Sequence, residues 1–395
     1  MKIKLFVLLF AVSASGFYQC TPKPAGKGAV KIKTEQIAAL DSVNEEFIKL
    51  SAVVDSISCN LSGIEKERAA FFLVSAYSLV IQSYVERGNP GAPGFTDWMV
   101  PPRKFGGDNP YTIYSQAPVS PEFSYKLSGR LGSCIYFGIQ LYGMAGGFNL
   151  PTANLGKNDI VFNKDGSFDI YISAKRPDGV KNWLPLQNGD HAFIVRQYFD
   201  KREGNIPAQI KIERTDHNPS TGTTYLQRLE NARKMITEYI MGSVDVSELL
   251  RENAFNKYPS KDAEIRSPKY GGALFPTKDN RYEGCWISLK EGEAMCVHGY
   301  LPQNTLYASY VFYDRWYNTP SYPEVNCFRT MNEIVLNPDR SFDLYVSPET
   351  IDHPNWINTG GLYEGSYSSR YMQSTDTVFP SLEVVKIKDI PPFWK

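Results

Sequence analysis

The sequence has few of the residues, and none of the local motifs, that mark a metal or catalytic site. It contains four histidines and six cysteines among 395 residues, and its acidic and basic residues balance at 42 each. No HExxH, HxH, CxxC, GxSxG or SxxK motif occurs, and no phosphate-binding or dinucleotide-binding glycine loop is present. A balanced charge lacks the basic surface that nucleic acids require. We therefore expect no metal, no cofactor and no nucleic-acid partner, and the sequence names no reaction.

One stretch of the sequence occurs twice. Residues 158–173 and 332–347 are identical at ten of sixteen positions. The offset between them persists downstream to Arg196 and Arg370, where 370 − 196 = 174. Chance does not preserve a register over so long a stretch, so the chain contains a tandem duplication.

Each copy predicts a β-hairpin with one apolar face. In the first copy, residues 160–162 are β-branched or aromatic and residues 163–167 have turn chemistry. Apolar Phe168, Ile170 and Ile172 then alternate with more polar residues, so they lie on one face of a strand. Regular helices are not interspersed with these strands, which disfavours a parallel α/β sheet. We expect a mainly β protein with helical additions: two duplicated antiparallel β-sandwich, jelly-roll-like units plus an N-terminal helical segment.

Helical patterns occupy the N-terminal part of the chain and the link between the two units. Apolar residues recur at helical spacing over 34–58, and Ser62 with Glu65 forms a capping-box pattern. Further helical stretches are predicted over 226–240 and 246–253. The predicted segments are an export signal (1–19), a flexible tether (20–33), N-terminal helices with a Pro/Gly-rich loop (34–115), a first β-sandwich unit (116–222), a helical connection (223–270) and a second β-sandwich unit (271–395).

The first residues predict export. Lys2 and Lys4 precede the apolar run 5–12, which is too short to span a bilayer. The sequence allows two ways in which this export signal could end. The small residues 14–16 form a cleavage site that would release a secreted protein, whereas Cys20 with its Pro/Gly/Lys tether resembles the lipidated cysteine of a bacterial lipoprotein. The expected location is the periplasm, the outer membrane as a lipoprotein, or the medium, with Cys20 as the sole expected membrane contact.

The remaining thiols predict neither a disulfide framework nor a metal cluster. Five cysteines follow Cys20, an odd number without regular spacing, so single buried thiols are the simplest interpretation. Cys296 and His298 would share one face of a strand, and a Cys/His couple is geometrically possible. The sequence indicates no third group that would orient this histidine.

Aromatic and planar polar residues suggest a ligand surface. Tyrosines and a tryptophan crowd residues 307–322, interleaved with Asp314 and Arg315, as sugar-binding surfaces require. Filling a sandwich core is the alternative role of such rings. The candidate ligand-binding residues are Asp108, Asn109, Tyr114, Trp183, Arg196, Tyr313, Trp316, Tyr317, His353, Trp356 and Arg370.

The duplicated arginines, Arg196 and Arg370, allow two interpretations. A duplicated position usually preserves what the fold needs, so a buried arginine that satisfies turn carbonyls is favoured. A binding site or anion clamp present in both copies is the alternative.

The sequence resembles a known family at several of these residues. Residues 353–361 (HPNWINTGG), followed by Glu364-Gly365 and Arg370, resemble the family called domain of unknown function 1214. So do Asn182-Trp183-Leu184-Pro185 with 196–198 and the loop 107–110, and the likeness covers roughly 97–390. Asn358 stands where an aspartate is usual, and Arg340 where a glycine is usual. The resemblance implies a duplicated β-sandwich architecture and no settled activity.

Three functions follow as hypotheses. The first is an exported protein that binds a carbohydrate-like or other small organic ligand, held by the aromatic loops of the second unit and the Asp108-Asn109 loop. The second is a cofactor-independent hydrolase that acts on such a ligand. The third is a structural protein of the cell envelope.

Overall fold

The computed structural model describes residues 33–100, 102–145, 148–201, 203–259, 274–321, 324–375 and 380–393. The expected export signal, Cys20 and nearly all of the tether lie outside these residues, as does Tyr322.

Three α-helices form one side of the molecule. They are α1 (Glu35–Ser58), α2 (Gly63–Val80) and α3 (Tyr225–Asn253), and a π-helical segment, Ile81–Glu86, continues α2. The predicted capping box is present, because the Ser62 hydroxyl accepts from the Glu65 amide and the Glu65 carboxylate accepts from the Ser62 amide. The two helical stretches predicted in the connection, 226–240 and 246–253, form the single helix α3. Gly242 lies between them and has a low helix propensity, but tertiary packing maintains the helix through it.

By length and composition the combined helix Gly63–Glu86 could cross a membrane. In this structure its buried residues pack against α1 and α3, as those of a core helix do. Gly88 follows it, and a Cβ there would collide with the carbonyl of Tyr84, so the close approach of the chain at this end of the helix requires glycine.

The first β unit is a sandwich of two sheets. Its strands are β1 (Thr96–Asp97), β2 (Thr112–Pro118), β3 (Tyr125–Arg130), β4 (Tyr136–Ala145), β5 (Phe148–Gly156), β6 (Ser167–Ser173), β7 (Asn182–Pro185), β8 (Asp190–Tyr198) and β9 (Gln209–Arg214). One sheet has the order β1-β2-β8-β4-β5 and the other β7-β6-β3-β9. Strand β2 begins at Thr112, four residues before the expected start of the unit at 116.

The second unit repeats this topology. Its strands are β10 (Asn280–Ser288), β11 (Glu293–Tyr300), β12 (Tyr307–Tyr313), β13 (Phe328–Thr330), β14 (Ser341–Ser347), β15 (Trp356–Asn358), β16 (Glu364–Met372) and β17 (Ser381–Lys386). The sheet orders are β10-β16-β12-β13 and β15-β14-β11-β17, which match those of the first unit strand for strand apart from β1. The parallel pair β6–β7 also recurs, as β14–β15. The prediction of a mainly β, duplicated architecture is confirmed.

The apolar rows of the repeat lie in the cores of the two sandwiches. Phe168 and Phe342 are both buried, and each belongs to a cluster that draws side chains from both sheets of its unit. The face predicted from alternation is therefore the core face.

The first arm of the predicted hairpin is not a strand. Residues 160–162 do not form a strand. The side-chain amide of Asn182 instead bonds both the N–H (2.8 Å) and the carbonyl (3.0 Å) of Val161. Asn355 bonds Val335 in the same way, at 2.8 and 2.7 Å. The asparagine of each Asn-Trp pair thus supplies the hydrogen bonds that a neighbouring strand would have supplied.

The turn itself forms as predicted. The Gly166 amide donates to the Asn163 carbonyl at 2.9 Å, and the Arg340 amide donates to the Asn337 carbonyl at 2.9 Å. Arg340 has φ +69° where Gly166 has φ +77°, so the second copy keeps the left-handed turn without glycine.

Candidate functional site

The duplicated arginines lie on equivalent central strands. Arg196 on β8 faces Tyr114 of β2 across the ladder, and Arg370 on β16 faces Tyr282 of β10. Each arginine is only 4% exposed. Each guanidinium also lies over the ring of its tyrosine partner, 5.8 Å from the centroid of Tyr114 and 5.7 Å from that of Tyr282. The same cation–π arrangement therefore occurs in both units.

A second tyrosine binds each arginine. Arg196 Nη2 donates to the Tyr142 hydroxyl at 2.8 Å, and Arg370 Nη2 donates to the Tyr313 hydroxyl at 2.6 Å. Gly138 pairs with Arg196, Ser309 pairs with Arg370, and the tyrosine follows four residues later in both strands. The two hydrogen bonds are thus copies of each other.

A loop from each unit crosses to the arginine of the other. Arg370 Nη2 donates to the Gly107 carbonyl at 2.8 Å, and Arg196 Nη2 donates to the Phe275 carbonyl at 2.9 Å. Gly107 and Phe275 occupy matching positions, seven residues before the tyrosine that pairs with the arginine (114 − 107 = 7 and 282 − 275 = 7). Such a reciprocal exchange is the pattern of a two-fold interface, here within one chain. The favoured interpretation of the sequence, arginines that satisfy turn carbonyls, describes these bonds, although the carbonyls belong to the opposite unit.

The charge of both arginines is left without a carboxylate. In the described ranges no acidic side chain forms an ion pair with Arg196 or Arg370, and Nη1 of Arg196 and Nε of Arg370 are buried without a hydrogen-bond partner. Burial lowers the pKa of each guanidinium and the surrounding tyrosine hydroxyls raise it, with a net pKa above the ordinary arginine value. Two positive charges are therefore enclosed together.

The neighbouring tyrosines are neutral donors. Burial raises the pKa of Tyr114 and Tyr282 above the ordinary tyrosine value. The Tyr114 oxygen accepts from the Asn109 amide at 3.1 Å, and the Tyr282 oxygen accepts from Asn280 Nδ2 at 3.1 Å. Each hydroxyl keeps its proton for a further acceptor.

A small cavity of about 20 Å³ lies between the two arginines. We call it the arginine cavity, and its polar wall consists of Tyr114, Arg196, Tyr198, Tyr282, Tyr317 and Arg370. Glycines 106 and 107, both with positive φ, close it on the loop side. The space is enough for about one water-sized particle.

The loop of Asp108 and Asn109 follows Gly107, which lines the arginine cavity. Asp108 accepts from the amide (2.9 Å) and the hydroxyl (2.6 Å) of Thr319 and lies 4.0 Å from the Lys104 ammonium. Asn109 donates to the Tyr307 hydroxyl at 3.0 Å. These bonds fix the loop to the second unit and so hold the Gly107 carbonyl in place.

Other candidate residues lie elsewhere. Trp183 on β7 and Trp356 on β15 belong to the sheets that do not carry Arg196 or Arg370. Their Nε1–H groups donate to the carbonyls of Ser173 and Ser347, both at 3.2 Å. His353 accepts from the Asn355 amide at 3.1 Å within the same region. These bonds hold the local path of the chain.

The aromatic cluster of 307–322 is divided between core and cavity. Trp316 is buried, and its ring stacks on Phe72 of α2 with centroids 5.4 Å apart. Tyr317 is also buried but lines the arginine cavity, and Tyr313 bonds Arg370. The rings of Trp316 and Tyr317 therefore form no exposed platform for a sugar.

Sequence reasoning missed Tyr142, Tyr198 and Tyr282. Tyr142 could have been found from the repeat, because residues 136–142 and 307–313 match with a tyrosine at each end and Tyr313 was already a candidate. Tyr282 was not accessible in that way, because the offset between the copies shortens from 174 to 168 residues there (282 − 114 = 168) and no repeated motif marks its strand.

A cysteine, a histidine and a carboxylate do meet on the outer face of the second unit. His298 Nδ1 lies 2.7 Å from a carboxylate oxygen of Asp343, and the Cys296 thiol lies 4.0 Å from the same oxygen. Asp343 is the orienting group that the sequence did not reveal. Burial raises the pKa of Cys296 to about 12, so the thiol is protonated and is not a nucleophile at neutral pH.

Metal ligands are not clustered either. Within the described part of the chain, no group of three or more His, Cys, Asp or Glu side chains is placed to hold a metal ion. The five cysteines there are unpaired, with Cys134, Cys285 and Cys327 buried.

Comparison with known proteins supports the fold and gives no activity. An uncharacterised protein from Burkholderia cenocepacia superposes with a TM-score of 0.81 at 20% identity, over 90% of this chain and 99% of that one. The VPA0106 protein from Vibrio parahaemolyticus gives a TM-score of 0.44 at 13% identity, over 88% and 100% of the two chains. No curated protein matches the chain. Residues 107–201, which include Tyr114, Tyr142 and Arg196, match the family described as "Protein of unknown function (DUF1214)", so the resemblance to this family is confirmed.

Proposed function

We propose that the protein binds a small anion in the arginine cavity, between its two β units. The observation that carries the proposal is the enclosure of two guanidinium groups that no described carboxylate neutralises, each with an N–H that lacks a partner.

The energetic argument concerns charge burial. Transfer of an ion from water into a protein costs several kcal/mol even after relaxation, and that cost is recovered only when the charge is paired and its hydrogen bonds are satisfied. Tyrosine hydroxyls and loop carbonyls satisfy part of the hydrogen bonding of Arg196 and Arg370 but supply no negative charge. An anion between the two arginines would supply the missing negative charge and accept hydrogen bonds from the unpaired N–H groups.

The size of the cavity selects the ligand. About 20 Å³ accommodates a halide or an anion of similar size. A carbohydrate-like ligand, the first hypothesis from the sequence, would require a pocket of roughly 300 Å³ or more. We therefore propose chloride or bromide, with Arg196, Arg370, Tyr114 and Tyr282 as donors.

The experiment compares thermal unfolding in sodium chloride and in sodium gluconate at equal ionic strength, because gluconate is too large for the cavity. Chloride should raise the melting temperature in a saturable way, with a stabilisation of about 2.7 kcal/mol once its concentration is 100-fold above Kd. Crystals grown in bromide should show an anomalous peak between the two guanidinium groups.

Arg370→Met should abolish the difference between chloride and gluconate, whereas Arg130→Met, at an exposed arginine on β3, should leave it intact. Equal melting temperatures in the two salts, together with an empty cavity in bromide crystals, would overturn the proposal. The two arginines would then serve only to bond the loop carbonyls of the opposite unit, as in the interpretation that a buried arginine satisfies turn carbonyls.

We also propose that the protein is exported. The support is the charged start at Lys2 and Lys4, the apolar run after it, and Cys20 with its tether. Intact mass measurement of the mature protein tests this: cleavage near residue 16 indicates a secreted form, and a lipid mass on Cys20 that Cys20→Ser removes indicates an anchored one. An unprocessed N-terminus in the producing cell would contradict export.

A further inference from the structure

A second and much larger cavity lies between the helices and the first β unit. Its volume is about 460 Å³, within the range of small-molecule sites and far above that of the arginine cavity, with which it shares no lining residue. The π-helical segment and α3 form one wall, and β2 and β8 form the other. We call it the helix–sheet pocket.

Most of the pocket surface is apolar. Tyr84, Val119 and Met235 are buried side chains of its wall, and Met144 contributes a flexible thioether that is 40% exposed at the edge. Methionine side chains adapt to ligands of irregular shape because they are unbranched and polarisable. Tyr84 is held in place by its hydroxyl, which lies 3.1 Å from that of Tyr239. The wall therefore favours an apolar ligand body.

Two polar side chains in the wall, Ser83 and His191, have no side-chain hydrogen-bond partner in the described chain. Ser83 is 5% exposed, and its hydroxyl is buried without a hydrogen bond. It lies in the π-helical segment, where the Arg87 amide donates to the Gln82 carbonyl five residues back at 3.0 Å. Such wide turns are uncommon and often occur at functional sites. A buried hydroxyl without a partner is unfavourable unless a bound molecule completes its hydrogen bonding.

The ionisable groups of the pocket favour a neutral ligand that donates a hydrogen bond. Glu238 forms no ion pair among the described residues, and burial together with the nearby charge of Asp245 raises its pKa. Burial lowers the pKa of His191 to about 4, so this ring is uncharged at neutral pH. Asp190 is occupied by the Thr152 hydroxyl at 2.7 Å and the Gln187 amide at 2.8 Å. Lys234 is paired with Glu230 at 3.5 Å.

We infer that the helix–sheet pocket binds a small, uncharged, mainly apolar organic molecule that carries a hydroxyl or N–H group. The apolar body lies against Tyr84, Val119 and Met235, and its polar group bonds the Ser83 hydroxyl and the Glu238 carboxyl group. This site is independent of the anion site.

The test uses N-phenylnaphthylamine, a neutral apolar dye with one N–H group whose fluorescence rises in apolar surroundings. The full-length protein should give a saturable one-site rise. Asn231→Trp places a large ring at the mouth of the pocket from an exposed position of α3 and should weaken binding at least tenfold, equivalent to about 1.4 kcal/mol. Glu252→Trp, at an exposed position of the same helix outside the pocket, should bind as the wild type does.

Ser83→Ala removes the proposed hydrogen bond to the ligand without filling the pocket. It should weaken dye binding about threefold to tenfold while leaving the melting temperature unchanged or higher, because the lost hydroxyl has no partner in the free protein. A signal that does not saturate, or equal affinities for Asn231→Trp and Glu252→Trp, would overturn the inference. Chloride should not change the affinity for the dye, so failure here is distinguishable from failure of the anion proposal.

Discussion

The carbonyl oxygen of Gly107 accepts a hydrogen bond from Arg370, 2.8 Å away, although the two residues belong to opposite copies of the duplicated unit. Its counterpart is the bond of 2.9 Å from Arg196 to the carbonyl of Phe275. Neither copy alone contains a complete arginine environment, because each supplies the loop that the other needs. The duplication therefore built an internal two-fold interface, and the candidate anion site lies in it.

The first prediction concerns the two tyrosines that accept hydrogen bonds from the arginines. Tyr142→Phe and Tyr313→Phe each remove an acceptor from a buried charged donor, and each should lower the free energy of unfolding by about 1.5–3 kcal/mol. The measurement is urea unfolding followed by circular dichroism. Tyr300→Phe, at an exposed tyrosine, is the control and should change little. Stability equal to that of the control would show that other groups already satisfy the arginines.

The second prediction concerns the loop that closes the arginine cavity. Gly107 has φ +76°, and a Cβ there would collide with the ring of Tyr317, so Gly107→Ala combines backbone strain with a steric clash. Gly179 has φ +70° and open space around it, so Gly179→Ala measures the backbone term alone, about 1–2 kcal/mol. We expect Gly107→Ala to exceed this by about 1–3 kcal/mol in chemical unfolding. Equal costs for the two variants would mean that the loop moves freely away from Tyr317.

The third prediction concerns the ion pair that joins α2 to the second unit. Arg68 Nε donates to the buried carboxylate of Asp314 at 2.8 Å, and burial raises the pKa of that carboxyl group. Arg68→Met leaves the charge without its partner and should cost about 3–5 kcal/mol of unfolding free energy. Arg130→Met breaks the exposed pair with Asp165 and should leave stability nearly unchanged. Similar effects of both variants in thermal unfolding would contradict the buried character of the Arg68 pair.

The fourth prediction concerns pH. The pKa of His191 is lowered from 6.5 to about 4 by burial, so the unfolded chain binds a proton at this site at higher pH than the folded chain does. Stability should therefore fall as pH decreases from about 6.5 to 4, by up to roughly 3 kcal/mol from this residue, and should not fall further from it below pH 4. His191→Gln should flatten the pH dependence of unfolding in that window. The exposed His217→Gln is the control, and an unchanged profile in the His191 variant would refute the assignment.

The sequence predicted the features that depend on neighbouring residues and missed those that depend on contacts between distant residues. The alternation of Phe168, Ile170 and Ile172 and the repeat around Phe342 determined two sandwiches with the correct core faces, because side-chain direction in a strand is a local property. The predicted first hairpin arm was wrong because Asn182, twenty-one residues away, takes the place of a strand partner at Val161.

The sequence by itself determined the duplication, the mainly β architecture and the equivalence of Arg196 and Arg370. Only the tertiary structure decided that the two arginines share one cavity, that Trp316 belongs to the core and that the loops of Gly107 and Phe275 exchange between units. The physical reason is that strand pattern and turn chemistry act between neighbours in the chain. The enclosure of two like charges arises only when surfaces 174 residues apart are packed against each other.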